Sequence, residues 1–341
     1  YMTLQEVYQE ARGRMKGFCS ICPECNGKMC AGKVPGMGGC GSGFSFQHNY
    51  TSLKNIHLQM RCLHKAKDPK TTLQLFGQNL SMPILGAPIT GPKFNFGGYV
   101  NQEEFCDDII LGAKATGTLA MIGDTGDPTA YEAGIKSLKR ANGFGIAIIK
   151  PRYNEEIIKR IRIAEEAGAI AVGIDLDGAG LLTMKLFNQP VEPKSMEDLK
   201  ELVNSTNLPF IVKGILSVED AKACVEAGVD AIVVSNHGGR VLDDCISPVE
   251  VLQDIVEAVG NQIIVLVDGN VRSGEDVLKY LALGARAVLI GRPCIWASVG
   301  NRQEGMETLF QSLQSQLYKA MLMTGNHSVQ EISPNTIFKN A

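Results

Sequence analysis

From Pro83 onward, short apolar runs alternate with amphipathic helical patterns, and this alternation restricts the fold more than any other feature of the sequence. Eight apolar runs are typical of buried strands, at residues 83–89, 117–122, 143–149, 169–175, 209–213, 230–235, 263–268 and 287–291. Helical patterns follow near residues 103–115, 129–139, 154–167, 196–205, 217–227, 247–259, 274–283 and 304–323. Eight strands that are each followed by a helix predict an α/β chain folded as a closed (β/α)8 TIM barrel, rather than an open doubly wound sheet.

The first eighty residues lack this alternation and are predicted to extend the barrel. Apolar residues at helical spacing predict a helix over residues 3–16, and the glycine-rich stretch from Gly32 to Gly43 predicts irregular structure. A helix around 50–56 and a strand pair around 57–76 are expected to lead into the barrel. We therefore divide the chain into an N-terminal helix and Cys/Gly-rich segment at residues 1–80, packed on the barrel, and the barrel itself at residues 81–341.

Composition narrows the classes of function. The chain has 341 residues, a formal net charge of −3 and a pI near 6.0, which gives no reason to expect nucleic acid or an anionic membrane as a partner. We find no apolar stretch of about 18 residues, so no membrane span is expected. Ten cysteines without a recognisable signal peptide favour a reducing, cytoplasmic location over a disulfide framework.

Polar residues follow several of the predicted strands, and in a barrel the carboxyl ends of the strands meet at one site. The sixth strand runs into residues 235–240, Ser-Asn-His-Gly-Gly-Arg. His237 can exchange a proton near neutral pH, Arg240 can bind a carboxylate through two bonds, and the glycines let the backbone approach a ligand closely. The fifth strand ends in Lys213 and the fourth in Asp175. These strand ends predict an active site.

The last two strands carry a pattern for phosphate binding. Strand seven is followed by residues 268–274, Asp-Gly-Asn-Val-Arg-Ser-Gly, and strand eight by Gly291 and Arg292. Glycines with an arginine in these two loops match the usual phosphate site of such barrels. Strand one ends in Ala87, Pro88 and Ile89, a small-residue turn that can present backbone to a flat ring. A phosphate, a flat ring and the His237 motif together suggest bound flavin mononucleotide (FMN).

These motifs, taken with their order along the chain, closely resemble the FMN-dependent α-hydroxy acid oxidase and dehydrogenase family, which includes glycolate and lactate oxidases. The resemblance covers roughly residues 72–333. It implies that the protein oxidises a small-molecule 2-hydroxy acid to a 2-oxo acid, with hydride passing to flavin N5. It also implies a homotetramer, and it leaves the electron acceptor and the choice between oxidase and dehydrogenase open.

The resemblance also implies a role for each site residue. His237 would be the base, Arg240 would bind the substrate carboxylate, and Lys213 would stabilise the reduced flavin at its N1–C2=O edge. Asp175, or less favourably Asp243, would orient His237. The residues implied to bind FMN are Ala87, Pro88, Ile89, Lys213, Ser235, Asp268, Gly269, Asn270, Arg272, Gly291 and Arg292.

The sequence departs from the family around the substrate. Family members that oxidise small 2-hydroxy acids typically have a second arginine after strand four, whereas residues 175–182 read Asp-Leu-Asp-Gly-Ala-Gly-Leu-Leu here. The tyrosine expected near strand three is replaced within Ala147-Ile148-Ile149, and the N-terminal tyrosine position falls in the glycine-rich run. Fewer charged hydrogen bonds should weaken the binding of small 2-hydroxy acids. Lys150 or Lys185 could substitute for the missing cation.

Four cysteines of the N-terminal segment, Cys19, Cys22, Cys25 and Cys30, have the spacing C-x2-C-x2-C-x4-C. Four thiolates this close together can bind Zn²⁺ or an iron–sulfur cluster, although zinc ribbons use two separated C-x2-C pairs. Free thiols, and a disulfide or redox switch, are the alternatives.

Two other functions are compatible with a flavin barrel. An FMN-dependent isomerase of the type 2 isopentenyl diphosphate isomerase kind would also bind FMN, but it is not expected to use the His-Gly-Gly-Arg pair to bind a carboxylate. A flavin-binding redox protein without hydroxy acid turnover would need neither the base His237 nor the carboxylate-binding Arg240.

Overall fold

The computed structural model describes residues 1–339. Within this range the strands are β1 (Ile56–Leu58), β2 (Leu73–Leu75), β3 (Gln78–Leu80), β4 (Ile84–Ile89), β5 (Ala120–Ile122), β6 (Ile146–Ile149), β7 (Ala171–Asp175), β8 (Phe210–Ile215), β9 (Ala231–Val234), β10 (Ile264–Val267), β11 (Ala287–Ile290) and β12 (Ile337–Lys339). Strands β4 to β11 are parallel and closed, since β11 also pairs with β4 through Leu289 and Leu85. The predicted (β/α)8 barrel is confirmed.

The barrel strands form because nearly every position in them is apolar and buried. Successive side chains point to opposite sides of a strand, and the two sides belong to two separate clusters. Ile146, Ile148, Val233 and Leu266 belong to the cluster inside the barrel. Their neighbours along the strands, such as Ile149, pack outward into the layer beneath the helices. The interior is therefore filled, and a ligand has room only at the ends of the strands.

The helices, again within the described residues, are α1 (Leu4–Arg14), α2 (Phe44–Lys54), α3 (Pro92–Asn95), α4 (Gln102–Ala115), α5 (Pro128–Arg140), α6 (Asn154–Glu166), α7 (Leu182–Leu186), α8 (Met196–Asn204), α9 (Val218–Ala227), α10 (Pro248–Val259), α11 (Gly274–Ala282) and α12 (Arg292–Leu322). Side chains of Asn101, Ser195, Ser217 and Ser273 accept hydrogen bonds from backbone N–H groups in the first turns of α4, α8, α9 and α11. No helix of the described chain is long and apolar enough to cross a membrane.

The last helix differs from the prediction, because α12 begins at Arg292 and not near residue 304. Its first helical residues include Pro293, which is pre-organised for a helix start. The chain breaks its helical geometry at Asn301 and at Arg302, which has a φ of 53°. That break interrupts the helical periodicity, so the sequence indicated only the part that follows it.

The N-terminal extension packs against the outside of the barrel and its C-terminal helix. Val7 of α1 lies so close to Gly300 of α12 that a side chain at Gly300 would meet the Val7 carbonyl oxygen at 2.1 Å. Helix α2 spans Phe44–Lys54, earlier than the predicted 50–56. The predicted strand pair over 57–76 was wrong: β1 pairs with β12, and β2 pairs with β3 across Phe76 and Gly77, whose φ values are 50° and 73°.

Candidate active site

The carboxyl ends of the barrel strands surround one cavity of about 160 Å³. Its wall includes the predicted residues Ala87, Pro88, Ile89, Asp175, Lys213, His237, Arg240, Asp268, Gly269, Asn270, Arg272, Gly291 and Arg292. Ser235 lies buried just behind this wall, where its hydroxyl oxygen accepts a hydrogen bond from the backbone N–H of His237 at 3.0 Å. The structure thus brings the predicted residues of six strand ends together around a single mouth.

His237 projects from a tight turn that follows β9. Its φ is 60° and that of Gly238 is 62°, so the chain turns here through left-handed backbone. The side chain of Asn236 stabilises the turn by accepting a bond from Gly239 N at 3.1 Å, and it exchanges two amide hydrogen bonds with Asn49 of α2. Helix α2 therefore helps to fix the position of His237, a long-range role that no local pattern in the sequence indicates.

The carboxylate nearest to His237 was not the one predicted. Nδ1 of His237 lies 2.9 Å from Oδ1 of Asp177 and 3.4 Å from Oδ1 of Asp175, so Asp177 makes the hydrogen bond and Asp175 is an ion-pair partner. Asp243 is not near the ring, because its carboxylate accepts hydrogen bonds from Ser42 N and Oγ at 2.7 and 2.9 Å. Asp175 and Asp177 therefore both contact the His237 ring, whereas Asp243 binds Ser42 of the glycine-rich segment.

Burial and charge set the protonation of this cluster. Burial opposes the charged form of His237, but the carboxylates of Asp175 and Asp177 outweigh it and raise the pKa of His237. Burial also opposes the charged form of Asp175. The positive charges of His237, Lys150 and Lys213 outweigh it and hold the pKa of Asp175 well below its usual range. Burial together with the charge of Asp175 raises the pKa of Asp177. Asp175 therefore stays ionised beside a histidine that is more basic than usual.

Two lysines flank Asp175 from neighbouring strands. Lys150 Nζ, after β6, lies 2.5 Å from Asp175 Oδ2, and Lys213 Nζ, in β8, lies 3.6 Å from Asp175 Oδ1 and 3.6 Å from Asp268 Oδ2. The side chains of Lys150, Asp175 and Lys213 are nearly inaccessible to solvent. Although burial acts against its charge, Asp175 and Asp268 raise the pKa of Lys213. The site holds two fixed ammonium groups, Lys213 and Lys150, and the sequence had indicated Lys150 as one of two candidates for the missing cation.

Asp175, Asp177 and His237 also form the one group of three or more possible metal ligands in residues 1–339 whose ligand atoms all lie within 4.8 Å. The ammonium groups of Lys150 and Lys213 already neutralise the carboxylate charge of this group. Its geometry is therefore explained by ion pairing with cations of the chain itself.

A second buried ion pair, between Arg152 and Asp124, lies next to the backbone of Lys150. Arg152 donates from Nε to Asp124 Oδ2 at 2.8 Å and from Nη2 to Asp124 Oδ1 at 3.1 Å, a two-bond arrangement. The same Asp124 accepts the backbone N–H of Lys150 at 3.1 Å. Asp124 therefore fixes the backbone at the end of β6 and the side chain of Arg152 together.

Arg240 and Arg292 both donate to carbonyl groups of the glycine-rich segment. Arg240 Nη1 lies 2.5 Å from Gly36 O and 3.1 Å from Gly38 O, and Arg292 Nε lies 2.8 Å from Met37 O. Burial lowers the pKa of Arg240 to about 10, and burial with its neighbours Arg272 and Arg240 lowers that of Arg292 to about 9. Both guanidinium groups remain charged near neutral pH, and the glycine-rich segment forms part of the active-site wall.

The residues at the ends of β10 and β11 fit the phosphate and ribityl chain of FMN. Asp268 Oδ1, Asn270 Oδ1 and Arg272 Nε are buried polar atoms without a hydrogen-bond partner among the described residues. A sugar-like chain with hydroxyl groups and a phosphate supplies both the donors and the acceptors that these atoms need. The Cα of Gly291 faces open space, and Gly269 has a φ of 131° that favours glycine. The backbone can thus approach a phosphate closely.

The four cysteines proposed as metal ligands line a second cavity, next to Met37 and Arg292. Among the described residues, no three of these sulfur atoms all lie within 4.8 Å of one another, so they stand farther apart than the ligands of one small ion. All four are free thiols in the structure. The sequence prediction that Cys19, Cys22, Cys25 and Cys30 bind zinc or an iron–sulfur cluster stays a prediction.

A barrel with a nucleotide-phosphate cradle on its last two strands, and a histidine and arginine on its sixth, defines the class of flavin-dependent barrel oxidoreductases. The family model described as FMN-dependent dehydrogenase matches residues 36–189 and 182–339. The match begins at residue 36, whereas the resemblance that we infer from the motifs begins near residue 72.

Individual relatives agree with this class. The chain is 30% identical to a 2-hydroxyacid oxidase of Dictyostelium discoideum, covering 85% of this chain and 81% of that protein. It is 32% identical to 4-hydroxymandelate oxidase of Amycolatopsis orientalis, over 86% of this chain and 89% of that protein. It is 31% identical to L-lactate oxidase of a Nostoc species, over 87% and 90%. A solved structure of a mandelate oxidase variant with (S)-mandelic acid has a TM-score of 0.78 at 28% identity, covering 100% of this chain and 99% of that one.

The chain belongs to the FMN-dependent α-hydroxy acid oxidase family. It is an FMN-dependent oxidoreductase that acts on the CH–OH group of 2-hydroxy acids, as the resemblance of its motifs had implied. The isomerase alternative is not favoured, because the relatives named above are oxidases of hydroxy acids.

Proposed function

We propose that His237 and Arg240 carry out the recognition and proton transfer of 2-hydroxy acid oxidation in this chain. Arg240 binds the substrate carboxylate, and His237 takes the proton of the 2-hydroxyl group. Bound FMN supplies the two-electron acceptor, because flavin N5 can take up a hydride from the substrate α-carbon. The products are a 2-oxo acid, a protonated His237 and the reduced cofactor, so atoms and electrons balance.

The contact between His237 and Asp177 is the observation that carries this proposal. Because Nδ1 is engaged by Asp177 at 2.9 Å and lies 3.4 Å from Asp175, Nε2 is the ring nitrogen left to accept the substrate proton. The two carboxylates then stabilise the imidazolium that forms. Lys213, fixed between Asp175 and Asp268, is placed to stabilise negative charge that develops on the reduced cofactor.

An anaerobic mixing experiment tests the reaction. The FMN-loaded protein is mixed without oxygen with a panel of 2-hydroxy acids that includes lactate, glycolate and mandelate, and the absorbance of oxidised flavin is followed. At least one of these acids should bleach the flavin and yield one equivalent of the matching 2-oxo acid. A panel that leaves the flavin oxidised, while dithionite reduces it, would contradict the proposal. Reoxidation by air compared with dye acceptors then separates oxidase from dehydrogenase behaviour.

The pH dependence of the reaction follows from the His237 cluster. The base must be neutral to accept a proton, and the carboxylates raise its pKa above 6.5, so kcat/KM should rise with pH through an apparent pKa above that value. Asp177→Asn removes one carboxylate and should move this limb toward lower pH by about one unit or more. Asp243→Asn is the matched control, since Asp243 bonds to Ser42 and not to His237. Equal shifts in both variants would assign the limb to another group.

Lys150 is the candidate for the second cation of the carboxylate site. It is buried and lines the mouth cavity, whereas Lys185, the other candidate in the sequence, is exposed on α7. Lys150→Met should therefore raise KM for a 2-hydroxy acid about tenfold, in line with one charged hydrogen bond. Lys185→Met is the control and should leave KM unchanged. Steady-state kinetics with one acid at several concentrations measures both, and a larger effect for Lys185 would reverse the assignment.

Three further properties belong to the same proposal. We infer a cytoplasmic homotetramer that acts on a small-molecule 2-hydroxy acid, without nucleic acid or membrane partners. The support is the family resemblance for the tetramer, and the cysteine content and charge of the sequence for the location. Light scattering after size exclusion tests the tetramer, which a monomeric mass would exclude. A metal or iron–sulfur group on Cys19, Cys22, Cys25 and Cys30 also remains a proposal.

A further inference from the structure

The four N-terminal cysteines lie on a segment that has no helix or strand of its own. Helix α1 ends at Arg14 and α2 begins at Phe44, and the residues between them form turns and bends. Connections longer than about 15 residues without regular structure are uncommon in compact domains and usually serve a function. The segment is nevertheless packed, with Ile21 and Met37 each only 3% exposed. A cross-link through the cysteines would hold such a segment together, and no pair of them forms a disulfide.

Cys19, Cys22, Cys25 and Cys30 face one another around a single cavity, whereas Cys40 lies outside its wall. Each of the four is partly buried. Four cysteine sulfurs around one cavity form a donor set that zinc and iron–sulfur clusters both use.

Buried N–H donors lie beside two of these cysteines. Arg272 Nη2 donates to the sulfur of Cys25 at 3.6 Å. The buried indole Nε1 of Trp296 faces Cys19. Arg292 adds a second guanidinium group to the cavity wall. An anionic, acceptor-rich group would satisfy these donors and cations, as sulfur ligands and sulfide do in metal centres.

The distances between the four sulfur atoms distinguish a zinc site from an iron–sulfur cluster. Zinc lies about 2.3 Å from each sulfur, so the four sulfurs of a tetrahedral site stand only about 4 Å apart. The four cysteines share a cavity, yet they are not among the groups whose ligand atoms approach within 4.8 Å. A cluster of several irons needs this wider spacing. The run C-x2-C-x2-C at Cys19, Cys22 and Cys25 also matches the three-cysteine run of bacterial iron–sulfur proteins.

We propose that Cys19, Cys22, Cys25 and Cys30 bind a [4Fe–4S] cluster beside the flavin site. Met37 and Arg292 line both the cysteine cavity and the mouth cavity, and Arg272 lines the mouth cavity while it contacts Cys25. These three side chains therefore lie between the cysteine cavity and the mouth cavity. The cluster ligands come from one short segment of one chain, so the site does not need a partner subunit.

This placement predicts the kind of electron acceptor, a part of the proposal that depends on the proposed function. Each 2-hydroxy acid releases two electrons and two protons. A [4Fe–4S] cluster carries one electron at a time, so it would pass the pair in two steps to a one-electron carrier protein, with the protons released to solvent. The enzyme would then act as a dehydrogenase, and oxygen would be a poor acceptor by comparison.

Metal analysis of the full chain tests the cluster without any substrate. Protein purified under argon, and reconstituted with ferrous iron and sulfide, should hold about four irons and four sulfides per chain after desalting. Dithionite should bleach the cluster absorbance and give a low-temperature EPR signal of a reduced cluster. Cys22→Ser and Cys25→Ser should lose most of the iron. Cys40→Ser and Cys62→Ser, which alter cysteines outside the cavity, should retain it.

FMN content is measured in the same samples, so that loss of iron can be told apart from loss of the fold. Fewer than about 0.5 irons per wild-type chain after reconstitution would overturn the proposal, and so would one tightly bound zinc in place of iron. Equal iron in the Cys22→Ser and Cys40→Ser variants would also overturn it. None of these results depends on hydroxy acid turnover, so a failure here is distinguishable from a failure of the proposed reaction.

Discussion

Replacing His237 with alanine is expected to lower kcat/KM for the best 2-hydroxy acid by about 10³-fold, within the range that general-base catalysis contributes. The substrate hydroxyl would lose its proton acceptor, while Arg240 would still bind the carboxylate. The effect should therefore fall mainly on the rate of flavin bleaching at saturating acid and less on KM. Stopped-flow mixing under argon measures that rate directly.

The variant is expected to fold and to hold FMN. Asp175 keeps its two ammonium partners, Lys150 and Lys213, when the imidazole is removed. Burial and the charge of Asp175 already raise the pKa of Asp177, so this carboxyl can take a proton once its histidine partner is gone. No buried charge is then left without compensation. His327→Ala, at an exposed histidine that pairs with Glu331, is the matched control and should leave kcat/KM unchanged.

Added imidazole provides a second measurement on the same variant. The alanine leaves space for a small base at the place of the ring, so imidazole should restore part of the bleaching rate, and more of it at a pH where imidazole is neutral. A merely structural histidine would not show this pH-dependent rescue. A His237→Ala enzyme that keeps more than about a tenth of the wild-type kcat/KM would exclude His237 as the base.

The barrel could be predicted from the sequence because its strands and helices are each indicated by residues within the element itself. Each barrel strand is a continuous apolar run, and several helices carry a start signal of their own, such as Ser217 before α9. The prediction failed where geometry departs from periodicity, as at Asn301 and Arg302 in α12. It also failed for β1, whose partner is β12 at the other end of the described chain. Because the two strands are far apart in the sequence, neither strand's own residues indicate which partner it pairs with.

The site could be predicted only as far as its residues sit at strand ends. His237, Arg240, Lys213 and Asp175 all do, and they meet at the mouth of the barrel. Asp177 was missed because two residues of one short motif compete for His237, and only the fold decides which oxygen is nearer. The carbonyl groups of Gly36 and Gly38 were missed because glycine carries no side-chain signal for contact with Arg240.

The glycine-rich segment connects two features that the sequence presents separately. Its carbonyl groups accept hydrogen bonds from Arg240 and Arg292, and Arg292 also lines the cavity of the four cysteines that precede the segment. Side chains larger than hydrogen would not fit here: a Cβ on Gly38 would meet the Cys30 carbonyl oxygen at 1.8 Å, and one on Gly239 would meet Phe46 N at 2.4 Å. The loss of the family tyrosine in this run is thus tied to close packing between the segment and the sixth strand's loop.

Replacing Arg240 with methionine is expected to lower kcat/KM for a 2-hydroxy acid by about 10²–10³-fold, mainly through KM. Removing one partner of a buried, charged hydrogen-bonded pair costs roughly 3–4 kcal/mol, which corresponds to that factor. Arg240→Lys keeps the charge without the two-bond geometry and should recover only part of the loss. Initial rates over a range of acid concentrations separate KM from kcat.

Arg240 also holds the carbonyl groups of Gly36 and Gly38, so a displaced segment could by itself weaken catalysis in the methionine variant. The 2-hydroxy amide of the same acid separates the two causes, because it lacks the carboxylate charge and keeps the reacting CH–OH group. If Arg240 binds the carboxylate, wild-type enzyme should prefer the acid to the amide by a large factor, and Arg240→Met should lose most of that preference. A displaced segment would lower both rates together and leave their ratio unchanged. An unchanged ratio would therefore assign Arg240 to holding the glycine-rich segment and would move carboxylate recognition to Lys150, a buried cation of the mouth cavity.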